Sequence, residues 1–157
     1  MSMSETTEMQ VDAASQDFIE SMGLVYQAEG LPRISGRILG LLTIGDRAFS
    51  LQELAEVLQV SRGSVSTNTR LLESFGMVER TAKPGDRQGF YQLAPEPYSR
   101  GLRGAVMRLS KAHQVVKTAR GKVPKSAKGA HKNLAQMEGF YEVAVRGLEE
   151  MIDGLES

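Results

Sequence analysis

Between Ser50 and Gly76 the chain carries two helix signatures, and the gap between them fits only a tight turn. Ser50-Leu-Gln-Glu53 is a capping box: the Ser50 hydroxyl can accept from the Glu53 N–H, and the Glu53 carboxylate can reach back to the Ser50 N–H. The helix it opens is short, with Leu51, Leu54, Ala55 and Leu58 facing inward. Gln59-Val60 makes the connection, and Ser61 caps a second helix that runs to about Phe75, with Val65, Leu72 and Phe75 inward and Gly76 as its stop. Two helices of roughly eight and fourteen residues joined by such a turn are a helix-turn-helix.

Two short β-like runs follow, Met77–Thr81 and Gly89–Leu93, flanking Ala82–Gln88. Pro84-Gly85 is a turn signal, because Pro presets φ at the second turn position and Gly accepts a positive φ at the third. The result is a hairpin with a charged tip, placed directly after the second helix. Upstream, apolar spacing predicts a helix over about Ser15–Ala28 through Phe18, Ile19, Met22, Val25 and Tyr26. Another begins in the region of Pro32 and buries Ile34, Ile38, Leu41 and Leu42, ending at Gly45. Downstream the pattern predicts a long helix over about Glu96–Lys117, a flexible loop over 120–131, and a last helix over about Lys132–Leu155.

This order defines a mainly α fold with a small β-hairpin: a winged helix-turn-helix with N- and C-terminal helical arms. The expected organisation is a disordered leader over 1–14, a DNA-binding domain over 15–95 that includes the first arm helix, and a C-terminal dimerisation arm over 96–157. The arms cannot bury both faces against so small a domain, and a second copy is the natural cover.

Composition narrows the function classes. Cysteine is absent, which removes disulfides, thiolate metal sites and cysteine nucleophiles together. His113 and His131 are the only histidines, and neither has a partner at metal-ligand spacing in the sequence. There is no phosphate-cradling glycine motif and no nucleophile elbow. No catalytic residue, metal or cofactor is therefore expected, and the chain reads as a non-enzyme. No apolar run is long enough for a membrane span, and the acidic N-terminus is unlike a targeting peptide, so a cytoplasmic location is expected.

The net charge of zero hides segregation. Residues 1–31 hold six acids and no Lys or Arg, 97–133 hold ten bases and no acid, and 134–157 hold six acids against Arg146 alone. Such blocks fit either a polyanionic partner or complementary contact between segments. Within the second helix of the helix-turn-helix, Arg62, Ser64, Ser66, Thr67, Asn68 and Arg70 are read as the side opposite the apolar one. Short hydroxyls and Arg are residue types that read base edges and hold phosphates. The expected DNA-binding set is Arg62, Ser64, Ser66 and Thr67 in the major groove, Arg70 on phosphate, and Lys83 with Arg87 at the wing tip. A solvated polar helix face and an ordinary charged turn are the plainer readings of the same residues.

The segments Gly30–Leu42, Ser50–Leu58, Ser61–Leu72, Gly76–Arg80 and Pro84–Arg87 together resemble the MarR superfamily, and within it the GbsR-like branch. The resemblance covers about 18–95 and implies a winged-helix dimer with interlocking first and last helices that regulates transcription, with repression as the expected sign. The family wing usually carries Asp-x-Arg, whereas here Asp86 directly precedes Arg87. The GbsR-like branch also implies a small organic cation such as choline as effector, for which Phe18, Met22, Tyr26, Phe140 and Tyr141 supply aromatic and soft surface. Plain core packing explains the same residues, so no effector residue is assigned. The rival from another class is a winged helix that binds proteins, because residues 50–94 hold five bases matched by five acids.

Overall fold

A computed structural model describes residues 11–157. The helices are α1 (Ala13–Ala28), α2 (Arg33–Gly45), α3 (Leu51–Leu58), α4 (Arg62–Ser74), α5 (Pro97–Lys122) and α6 (Lys128–Glu156), and the strands are β1 (Phe49–Ser50), β2 (Val78–Thr81) and β3 (Phe90–Leu93). They form two compact units, one holding the chain up to Ser74 with Val78–Ala94, the other Phe75–Met77 with Pro95–Ser157.

In the first unit α2 is the central helix. Ser35, Gly36, Ile38, Leu39, Gly40, Leu41 and Leu42 are all buried on it, a wider band than the four-residue stripe its periodicity suggests. That burial is possible because α1 lies very close. A Cβ placed on Gly36 would stand 2.3 Å from the Met22 carbonyl oxygen, and one on Gly40 would stand 3.2 Å from the Ile19 Cα. Glycine at both positions lets the α1 backbone settle directly on α2. The crossing is then clamped by charge: Glu20 on α1 accepts from Arg33 at 2.9 Å and from Arg37 at 2.8 Å. The Arg37 guanidinium also donates to the Leu58 carbonyl at 2.9 Å, satisfying an acceptor at the open end of α3.

Of the first-helix residues assigned to one face, Ile19 and Tyr26 are buried, but Phe18 and Val25 are exposed. The expected leader also shortens. Asp12 caps α1 by accepting the Ser15 N–H at 2.8 Å, so residues 13 and 14 are its first turn, while residues 1–10 of the leader lie outside the described residues. Donation from that N–H and from the Ser15 hydroxyl holds the Asp12 carboxyl below its ordinary value, so it stays ionised and sits well on the positive helix end.

The capping box at Ser50 forms as the sequence requires, with Glu53 N–H to Ser50 Oγ at 3.1 Å and Ser50 N–H to Glu53 at 2.7 Å. Caps of this kind are worth about 1 kcal/mol. Gln59 follows α3 with φ 55°, a left-handed residue that reverses the chain towards α4 within the short connection. The sheet has three strands in the order β1-β3-β2, one more than the hairpin, with Phe49 opposite Tyr91 and Ser50 opposite Phe90. Fully buried Phe49 ties the strand into the core.

The second unit is an antiparallel pair of long helices. The expected flexible loop over 120–131 is a correction: α5 continues to Lys122 and α6 starts at Lys128, leaving only 123–127 between them. A Cβ on Gly121 or Gly129 would meet nothing within 4 Å, so these glycines mark no tight approach, and the Lys and Ala around them are sound helix residues. Among the described residues, no helix is long and apolar enough to cross a membrane.

Candidate nucleic-acid interface

Helix α4 is fixed in the first unit by Val65, Thr69 and Leu72, all fully buried. Thr69 is held down because its hydroxyl donates to the Val65 carbonyl at 2.9 Å. Ser61 caps the helix, its Oγ accepting the Ser64 N–H at 3.1 Å. This anchoring leaves Arg62, Gly63, Thr67, Arg70 and Ser74 exposed along one side.

The other assigned residues are placed less openly. Ser64 is half-buried and its hydroxyl accepts from Ser61 Oγ at 3.0 Å, so it belongs to the cap as much as to the outer face. Ser66 is half-buried and accepts from Arg70 Nη2 at 3.1 Å, which holds that guanidinium over the preceding turn. Asn68 is a correction. It is buried, its amide donating to the Ser64 carbonyl at 2.8 Å, because three residues after Val65 and four before Leu72 it lies on the core side.

The wing turn closes as the Pro-Gly pair dictates, with Asp86 N–H to the Lys83 carbonyl at 3.1 Å and Gly85 at φ 78°. Residues 82–88 are all exposed. Asp86 turns towards Gln88, accepting its backbone N–H at 3.0 Å and its side-chain amide at 3.2 Å. That backbone N–H is the main reason the Asp86 carboxyl sits below its ordinary value. The Arg87 side chain consequently has no hydrogen bond or ion pair among the described residues. Lys83 differs: its ammonium rests 4.2 Å above the Phe90 ring, over the body of the wing.

Two further cations in this unit escaped the sequence reading. Arg80 on β2 is exposed, and a Cβ on Gly89 would stand 2.2 Å from its Nε, so its guanidinium lies flat against the start of β3. Sequence offers one signal for this, a glycine just before the strand that pairs with β2. Arg47 stacks 3.8 Å over the Phe49 ring and pairs with Glu53 at 3.1 Å, so its charge is already engaged.

The basic stretch of the second unit is partly neutralised within the chain. Arg103 pairs with Glu156, and Arg120 with Glu138, in both cases joining α5 to α6. The two charge blocks of the C-terminal region therefore meet as neighbouring segments of one chain. Lys122, Lys125 and Lys128, at the α5–α6 turn, are exposed.

A capped helix-turn-helix followed by a hairpin and completed by a short third strand is a winged helix. Residues 29–89 match the family model of the MarR family. The chain is 38% identical over 97 residues to the HTH-type transcriptional regulator MmpR5 of Mycobacterium tuberculosis, a match that covers 61% of this chain and 59% of that protein. It thus spans about three-fifths of that relative's length. Among solved structures it is similar to a crystal structure of a transcriptional regulator, with 28% identity, a TM-score of 0.80, and coverage of 91% of this chain and 98% of that one. The matched family and these relatives are transcriptional regulators, not enzymes.

Proposed function

We propose that the chain is a sequence-specific, duplex-DNA-binding repressor of the GbsR-like branch that works in the cytoplasm as a homodimer. The observation that carries this reading is the pairing of an exposed polar side of α4 with an Arg87 that has no partner among the described residues. Arg62 and Thr67, with Ser64 and Ser66 at the margin, enter the major groove, and Arg70 holds phosphate. Arg87 enters the neighbouring minor groove, where narrow A·T stretches concentrate negative potential, and Lys83 supports it from the wing body. Arg80 adds a third cation to the wing. The domain division follows, with residues 15–95 reading DNA and 96–157 joining the two copies.

Exposed apolar surface supports the dimer. Met137, Phe140, Met151 and Leu155 are all exposed on α6, and because Met151 lies about three whole turns beyond Phe140 they share one stripe. Phe18, Leu24 and Val25 are similarly open on α1. Surface of this extent on long helices calls for a partner, and a second copy supplies an identical stripe.

The test is equilibrium binding to duplex DNA across a salt series. Binding is expected to weaken steeply with salt, because each phosphate neutralised releases condensed counterions. Arg87→Ala should lower affinity about tenfold and make the log–log salt slope shallower by about two, one contact per wing. Arg70→Ala should weaken binding to all duplexes about equally. Salt-independent or negligible binding would favour the protein-interaction module that the balanced charge of residues 50–94 suggests.

A further inference from the structure

The second unit places one imidazole against two carboxylates. His113 lies on α5; Glu138 and Glu142 lie on α6, one turn apart, so both carboxylates address the same point of the neighbouring helix. His113 Nε2 stands 3.8 Å from one Glu138 oxygen and 3.5 Å from one Glu142 oxygen. That nitrogen is buried and has no hydrogen-bond partner among the described residues.

These separations are too long for charge-assisted hydrogen bonds, which run about 2.7–2.9 Å. They match what a shared ion requires. Ligands held about 2.1 Å from a tetrahedral metal lie about 3.4 Å from each other. All three candidate donor atoms lie within 4.8 Å of one another, so a small side-chain adjustment closes the set.

The surroundings complete the pattern of a metal site. Arg120 donates to the other oxygen of Glu138, the one turned away from His113. That leaves a single oxygen free to ligate and fixes its direction, the usual arrangement of a ligating carboxylate held by an outer partner. Glu142 is 56% exposed and gives an ion a way in from solvent.

We propose that His113, Glu138 and Glu142 bind one divalent transition metal ion, with zinc the best match, water in the fourth position and Arg120 as positioning residue. One imidazole and two carboxylates form a nitrogen–oxygen set that suits a borderline cation. The ion would link α5 to α6 near the middle of both helices. This site lies wholly within the C-terminal unit and does not depend on the DNA-binding reading.

The full chain, stripped with chelator and dialysed, is titrated with zinc alone by calorimetry, with bound metal counted by elemental analysis. One ion per chain is expected. His113→Gln and Glu142→Gln should each lower affinity at least tenfold, while His131→Gln should leave it unchanged. Arg120→Gln should lower it about 10- to 100-fold, the range typical of lost outer partners. Since Glu142 is mostly exposed, E142Q should keep wild-type helix content, so a misfolded His113 variant would not obscure the result. Absence of zinc binding by the wild type, or equal binding by wild type, H113Q and E142Q, would overturn the proposal.

Discussion

Gly36→Ala should destabilise the protein by about 3 kcal/mol or more, and Gly36→Leu should prevent folding at ordinary temperatures. In an open helix position the first substitution would gain up to about 1 kcal/mol, because alanine is the better helix former. Here the added Cβ would meet the Met22 carbonyl oxygen at 2.3 Å, the Met22 carbonyl carbon at 2.9 Å and the Tyr26 Cβ at 2.9 Å. Two of those atoms are backbone and cannot swing aside, so α1 must lift from α2. Lifting it also pulls Glu20 from Arg33 and Arg37 and exposes Ile19. Gly121→Ala is the control, since its Cβ would meet nothing within 4 Å, and it should be neutral or slightly stabilising. Thermal unfolding of the three variants checks the account. An unchanged melting temperature for G36A would mean the helices do not cross as closely as described.

Replacing Phe140 and Met151 together by Asp should convert the proposed dimer to monomers and reduce duplex affinity by about a hundredfold or more, since each copy then holds one half-site alone. Both side chains are exposed within the chain, so the change removes little intrachain packing. A pair of like charges would instead face its own image across a two-fold axis. Sedimentation or light scattering gives the oligomeric state, and circular dichroism confirms that helix content survives. A variant that stays dimeric would move the interface away from this stripe.

The features legible in the sequence were the ones specified locally. A capping box, a Pro-Gly turn and a glycine stop each act within four residues, so the helix-turn-helix and its hairpin could be read directly. What depends on distant partners could not. Phe49–Ser50 is a strand only because β3 lies beside it, and two residues carry no period of their own. The 120–131 segment reads as a loop from its Gly and Pro content, yet only Pro124 falls within the turn. In the sequence His113 stands alone because its carboxylate neighbours lie on the next helix, 25 and 29 residues on, brought close by the antiparallel return of the chain.

At the candidate interface, residue type gave the outer side of α4, but phase misassigned Asn68. Polarity alone points this side chain outward, whereas its position between Val65 and Leu72 turns it inward. The free Arg87 was legible only in part, since the sequence shows Asp86 beside it but not that Gln88 occupies the carboxylate.

The most direct measurement is selection of binding sites from random duplex DNA by the full chain at moderate salt. The expected result is an inverted repeat whose half-site centres lie about 10 base pairs apart, the spacing that brings two recognition helices of a dimer to successive major grooves. Recovery of no enriched sequence, with negligible duplex binding even at low salt, would contradict the assignment of α4 and the wing to DNA.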